Sequence, residues 1–190
     1  MQITFKKDSE KFSFPLPIYE TIKIGEAVSK DGEDFSVFVG LDKKIASQLK
    51  QLSLDKSDTD LQKNTSDKKR FGLGSYEDWY KKNRTPFALI HKDTNALAAL
   101  VWFGPEPLDE KEGNWHTAAW RSYPSFRGKG LMKDFTKFAM DAYVKSVPNI
   151  KFWIKVKKDN TGSIGLAQAL GFQKLQETSP GASLLMVKYL

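Results

Sequence analysis

The chain has no cysteine, so disulfides, thiolate metal sites and a cysteine nucleophile are all excluded. Histidine is nearly as scarce, with only His91 and His116 available as imidazole bases or ligands. No apolar run approaches membrane-spanning length, and Met1–Lys7 lacks the hydrophobic centre of a signal peptide. No metal and no membrane partner are expected, and the expected location is cytoplasmic. Internal repeats are also missing. What is present is a 190-residue chain with 40% hydrophobic residues, enough for one well-buried core and too short to favour two large domains.

The net charge is +7 and the sequence pI about 9.4. Such a balance draws in anionic partners, either nucleic acid or an anionic small molecule. Lysines are mixed with acids nearly everywhere, as in 55–70, which is the pattern of a solvated surface. Nucleic acid is therefore not the expected partner, although Gly162-Ser-Ile-Gly165 imitates the GxxG loop of KH domains.

The organising stretch is 120–132, Trp-Arg-Ser-Tyr-Pro-Ser-Phe-Arg-Gly-Lys-Gly-Leu-Met. An apolar run ends at Tyr123, Pro124 turns the chain, and an amphipathic helical pattern follows Gly130 at once. A helix N-terminus offers unpaired N–H donors and a partial positive charge, and therefore attracts phosphate. Gly128 and Gly130 allow close backbone approach, while Arg127 and Lys129 add charge. The local chemistry predicts a pyrophosphate site. The Walker spacing is absent, and the third glycine of a dinucleotide fingerprint is replaced by Lys133.

Arg127-Gly128-Lys129-Gly130-Leu131-Met132 resembles the pyrophosphate loop of the GNAT superfamily of acetyl-CoA-dependent N-acetyltransferases, with Met132 where a small residue is usual. Asn160-Thr-Gly-Ser163-Ile-Gly-Leu166-Ala167-Gln-Ala-Leu-Gly171-Phe172 is similar to the family's second motif, with Ala167 in place of its frequent tyrosine acid. The resemblance runs from Phe35 to the C-terminus and is strongest over 118–172.

It implies a mixed α/β (α+β) fold, with a mostly antiparallel central sheet and helices on both faces. It also implies a GNAT domain at 35–190; residues 1–34 read from their alternation as an N-terminal β extension, with a mobile arm as the alternative. The implied reaction is attack of a primary amine on the thioester of acetyl-CoA, used as co-substrate. By the same resemblance, backbone near Trp120 meets the acetyl carbonyl and backbone near Ser122 meets the pantetheine arm. The amides of Gly128–Met132 hold the pyrophosphate, and Asn160 and Ser163 line the thiol end. Tyr76, Trp79 and Tyr80 are implied as acceptor contacts, with core packing as the alternative. A homodimer is compatible with the family.

His116, on the strand predicted over 114–123, is the candidate catalytic base, with Glu106 and Glu112 as alternatives. With Ala167 where the family's tyrosine acid stands, Tyr143, Tyr80 and water remain open as the acid. A non-catalytic acyl-CoA-binding domain is the second functional reading.

The rest of the chain reads from pattern. Asp42 is expected to cap a helix, Asp55–Arg70 to form a long loop, and Ser75 to cap a short helix. Phe87–His91 and Ala96–Phe103 are expected to pair as a hairpin, and Asp31-Gly32 to make a turn. Phe12 and Phe14 suggest strand alternation, Ile22 and Ile24 a strand ending at Gly25, and Asp141 and Lys145 a weak ion pair.

Overall fold

The computed structural model describes residues 1–5, 12–109, 111–176 and 183–189. Its nine strands are β1 (Gln2–Phe5), β2 (Ile22–Val28), β3 (Asp34–Val39), β4 (Thr85–His91), β5 (Leu97–Pro105), β6 (Trp115–Ser122), β7 (Lys151–Lys157), β8 (Gln173–Gln176) and β9 (Ser183–Lys188). They form one sheet in the order β1-β2-β3-β4-β5-β6-β7-β9-β8. Every pairing is antiparallel except that of β6 with β7. A parallel pair needs a long crossover, and the helix α4 (Met132–Ser146) supplies it.

The helices lie on both faces. On one, Phe135, Phe138, Ala139 and Tyr143 of α4 recur at helical spacing and pack against Val101, Phe103, Phe152 and Ile154 of the sheet. The helix α5 (Thr161–Ala169) closes the same core with Ala167, which is fully buried. On the opposite face, α1 (Lys43–Leu54) buries Ile45, Ala46 and Leu49, and Asp42 caps it by accepting from the Ile45 amide at 2.7 Å. Beside it stand the short helix α3 (Tyr76–Tyr80) and the rings of Phe71 and Trp102. Phe71, Trp79 and Trp102 meet edge to face at centroid distances of 5.0–5.9 Å, a geometry the ring quadrupoles favour.

Several expectations need correction. The polar stretch 55–70 is not a long loop. It contains α2 (Thr59–Asn64), capped by Asp58, and enters a π-helical turn at Lys68–Gly72. Strand β2 continues past Gly25 to Val28. Phe12 and Phe14 lie outside any strand, stacked on each other at 6.0 Å, with Phe14 also stacked on Tyr143. Asp141 pairs with Lys137 at 2.7 Å, one turn on the other side from Lys145. The Asp31-Gly32 turn does form, with Gly32 at φ 81°.

Candidate active site

Strands β6 and β7 start as neighbours and then part. Their pairing runs Trp115 to Lys151, His116 to Phe152 and Thr117 to Trp153, and stops there. Strand β6 remains paired with β5 as far as Ser122, so its other edge is bare from Ala118 onward. Strand β7 runs on to Lys157. The gap is a cleft of about 350 Å³, walled by residues 118–122 of β6, 154–157 of β7, the α2 helix, and the start of α5. Gly128 and Met132 line its far end.

That end is built to receive negative charge. The 3-10 turn Pro124–Phe126 redirects the chain after β6, and Gly128 and Gly130 take φ of 77° and 68°. A Cβ added at either glycine meets nothing within 4 Å, so glycine is needed there for conformation and not for space. The first-turn donors of α4, which have no intrahelical acceptor, also receive no side-chain cap. The helix dipole is positive there.

The charged side chains of the loop, however, are already paired. Arg127 donates from Nη1 and Nη2 to both carboxylate oxygens of Asp58, at 2.7 and 2.6 Å, and from Nε to the Ser122 carbonyl at 2.8 Å. Lys129 reaches Glu33 at 2.6 Å and lies over the Phe126 ring. The expectation of two free cations aimed at phosphate is therefore corrected. Arg127 ties the loop to the cap of α2, which leaves the backbone amides as the groups there that can meet an anion. Lys129, Gly130 and Leu131 do not line the cleft, and the Leu131 side chain is buried in the core.

Across the cleft, Trp120 and Ser163 meet. The indole Nε1 donates to Ser163 Oγ at 3.3 Å, and the Ser163 amide donates to Asn160 Oδ1 at 3.0 Å, capping α5. Trp120, Ser122, Asn160 and Ser163 all line the cleft.

Pattern reasoning missed the α2 wall. Asp60, Leu61, Asn64 and Thr65 face the cleft, and α2 is fastened at both ends. Asp58 grips Arg127 at one end. At the other, Lys63 pairs with Asp159 at 2.7 Å and its carbonyl accepts from Lys157. Farther along, the fully buried Asp67 accepts from Arg121 on β6 and from Arg70. The local signal was there in Asp58, a capping residue followed by Thr-Asp-Leu. The partners, Arg121 and Arg127, lie too far along the chain for a local pattern to show them.

The candidate base and acceptor contacts lie elsewhere. His116 is 4% exposed and points away from the cleft, toward α4. Its Nε2 faces Asn114 Oδ1 at 3.1 Å, so Nε2 carries the hydrogen, and Nδ1 accepts from the Tyr143 hydroxyl at 2.8 Å. Burial, and then the Arg84 charge, lower its pKa. An imidazole with both nitrogens engaged inside a core has no path to a substrate amine, so the assignment of His116 as base is withdrawn. Tyr143, with its hydroxyl given to His116 and its pKa raised by burial, is withdrawn as acid. Tyr143→Phe should cost about 1–2 kcal/mol of stability, since the buried Nδ1 loses its donor. It should leave turnover unchanged, and a denaturant titration beside a steady-state assay checks both.

Tyr76, Trp79 and Tyr80 are likewise core anchors and not cleft residues, at 8%, 6% and 7% exposure. Tyr80 donates to the Leu16 carbonyl at 2.6 Å. Among the described residues no cluster of metal-ligating side chains forms, and no helix is long and apolar enough to cross a membrane.

Comparison with known proteins agrees with this fold. A family model described as an acetyltransferase (GNAT) domain matches residues 37–173. The GNAT domain of Streptomyces lividans PAT superposes with a TM-score of 0.66 at 13% identity, over 87% of this chain and 96% of that one. A GNAT-family acetyltransferase from Listeria monocytogenes gives 0.64 at 17% identity, over 87% and 99%. The ribosomal-protein-S5-alanine acetyltransferase of Vibrio fischeri gives 0.60 at 17%, over 85% and 96%. None of the curated proteins matches the chain in sequence.

Proposed function

Because the chain belongs to the GNAT acetyltransferase family and is an acyltransferase, we propose that it moves the acetyl group of acetyl-CoA to a primary amine. GNAT domains use acetyl-CoA as co-substrate. The observation that carries the reading is the parting of β6 and β7 beyond Thr117 and Trp153, opening onto the uncapped start of α4.

The residues present suit that substrate. The edge of β6 at 118–122 that β7 leaves offers backbone N–H groups to the carbonyls of a pantetheine arm, its Trp120 and Ser122 carbonyls already accepting from Arg121 and Arg127. The amides around Gly128 and Met132 suit a pyrophosphate, which needs many donors and tolerates little side-chain bulk. Trp120 and Ser163 bridge the cleft and fix its width.

Transfer then requires the neutral amine nitrogen to attack the thioester carbon. The C–S bond breaks, the sulfur leaves as thiolate, and the nitrogen loses a proton to water. Holding the two reactants together supplies most of what the reaction lacks in solution. A free amide on the β6 edge is suited to receive the charge that develops on the carbonyl oxygen. A thiol's pKa is low enough that departure without a fixed acid is tolerable.

Acetyl-CoA should raise the melting temperature while adenosine alone does not. Stabilisation follows affinity for the folded state, about 2.7 kcal/mol at a hundred times the dissociation constant. Scanning calorimetry with each ligand, followed by a thiol-release assay against a set of amines, tests the reading. An equal shift with adenosine would remove the phosphate site from it, and binding without transfer to any amine would favour a non-catalytic acyl-CoA-binding domain.

A further inference from the structure

We infer that the acceptor amine carries an anionic group, a carboxylate or a phosphate, and that Arg70, joined through Asp67 to the cleft wall, receives it. The inference rests on the proposed transfer to an amine and names the class of that acceptor.

Three guanidinium groups, of Arg70, Arg84 and Arg121, gather on the face of the sheet that carries α1 and α3. Arg121 and Arg70 lie over the Trp102 ring at 4.8 and 5.5 Å from its centroid. Arg84 packs against Gly104, two residues further along the same strand, where an added Cβ would meet its Cδ at 2.7 Å. Among the described residues two carboxylates pair with these three cations. Glu106 takes Arg84. Asp67 serves both of the others, with Oδ1 accepting from Arg70 Nη1 at 3.0 Å and from Arg121 Nη2 at 2.9 Å. One positive charge is left over.

The surplus falls on Arg70. Arg121 spends Nε and Nη2 on Asp67 and donates from Nη1 to the Trp120 carbonyl at 2.7 Å. Arg70 has, besides its single bond to Asp67, only a long contact from Nη2 to Ser66 Oγ at 3.4 Å among the described residues. The greater part of its donors is free, and its side chain is one-third exposed. Burial, with the nearby Arg121 and Arg84 charges added, lowers its pKa, so the site disfavours the charge it holds. An incoming anion relieves that. Arg121 and Thr65 line the cleft, and Asp67, bonded to both Arg121 and Arg70, joins the Arg70 guanidinium to that wall from outside the lining. A planar guanidinium suits a carboxylate or phosphate held through two parallel hydrogen bonds. A cationic acceptor such as a polyamine would meet like charge instead.

The test uses the full chain at saturating acetyl-CoA with three acceptors. Two are short peptide amides with a free N-terminus that differ only in glutamate or glutamine at the second position, and the third is spermidine. The wild type should prefer the glutamate peptide by about tenfold or more in kcat/KM, the scale of one charge-assisted contact. Arg70→Ala should remove that preference through KM, and Arg70→Lys should keep part of it. The KM for acetyl-CoA and the melting temperature should be unchanged by Arg70→Lys. A role confined to structure would instead depress all three acceptors equally. Thermal shifts of the coenzyme A-saturated protein give a second readout independent of transfer, in which the glutamate peptide should stabilise the wild type and not Arg70→Ala. Preference for spermidine, equal use of the two peptides, or a glutamate effect that survives Arg70→Ala overturns the inference. Failure of acetyl-CoA itself to bind would instead overturn the proposed function, and the same peptide shifts measured on the protein alone would still read the anion site.

Discussion

Asp67→Asn should lower stability by about 3–5 kcal/mol, the cost of breaking a buried ion pair from one side. The carboxylate is fully buried, and the Arg121 side chain it holds is only 15% exposed. An asparagine of nearly the same shape keeps the packing and removes the charge, so Arg121 is left as an uncompensated cation beneath Trp102. Arg70 loses its carboxylate in the same change. For a chain of this length each kcal/mol moves the melting temperature by roughly 2–4 °C, so a fall of about 10 °C is expected.

Two comparisons separate this effect from general sensitivity. Asp58→Asn should cost less, since the Arg127 side chain is 31% exposed and can find water. Asp159→Asn, whose pair with Lys63 is more than half exposed on both sides, should change little. Differential scanning calorimetry on the three variants gives the order directly. If Asp67→Asn melts within a degree or two of the wild type, Arg121 is solvated in a way the packing denies. Because Asp67 also steadies Arg70, any of its substitutions should weaken the use of anionic acceptors as well.

The sequence announced those parts of the fold that depend on near neighbours. Asp42 and Ser75 cap helices because a short polar side chain reaches an amide three residues on, which a local pattern contains. The β4–β5 hairpin and the α4 face follow from spacing for the same reason. The turn before α4 was legible because it is a backbone device, and the placement of Gly128 and Gly130 encodes backbone.

What stayed hidden was pairing over long separations. Arg127 and Asp58 are 69 residues apart, and nothing near either shows that the arginine's donors are taken. Asp67 and Arg121 are 54 apart, so a stretch of mixed charge looked like solvated surface. Its carboxylates instead anchor a wall of the cleft. His116 misled for a related reason. Where β6 leaves β7 depends on strand pairing that a local pattern does not contain: His116 still pairs with Phe152 and its ring meets Tyr143 of α4, whereas the cleft opens beyond Thr117. Ala167 is clear only in the structure: it is fully enclosed in the α4–α5 core, where a tyrosine ring has no space without repacking.

Gly128→Asp should remove the acetyl-CoA thermal shift, with a loss of affinity on the order of a hundredfold, about 2.8 kcal/mol. Gly128 lines the cleft at φ 77°, and a Cβ there projects into open space. Aspartate therefore fits sterically and brings a negative charge to the uncapped start of α4, where the pyrophosphate is to bind. Backbone strain is the rival explanation, and Gly128→Asn isolates it. Asparagine matches aspartate in size and tolerates a left-handed conformation about as well, yet carries no charge. It should keep most of the shift. Isothermal titration of acetyl-CoA into both variants, repeated with desulfo-pantetheine lacking the phosphates, resolves the two terms. The difference between the variants should appear for acetyl-CoA and vanish for the phosphate-free fragment. Equal losses from Asp and Asn would put the effect on backbone conformation. Undiminished binding by Gly128→Asp would move the phosphates away from this turn and leave the parted edge of β6 as the principal holding surface.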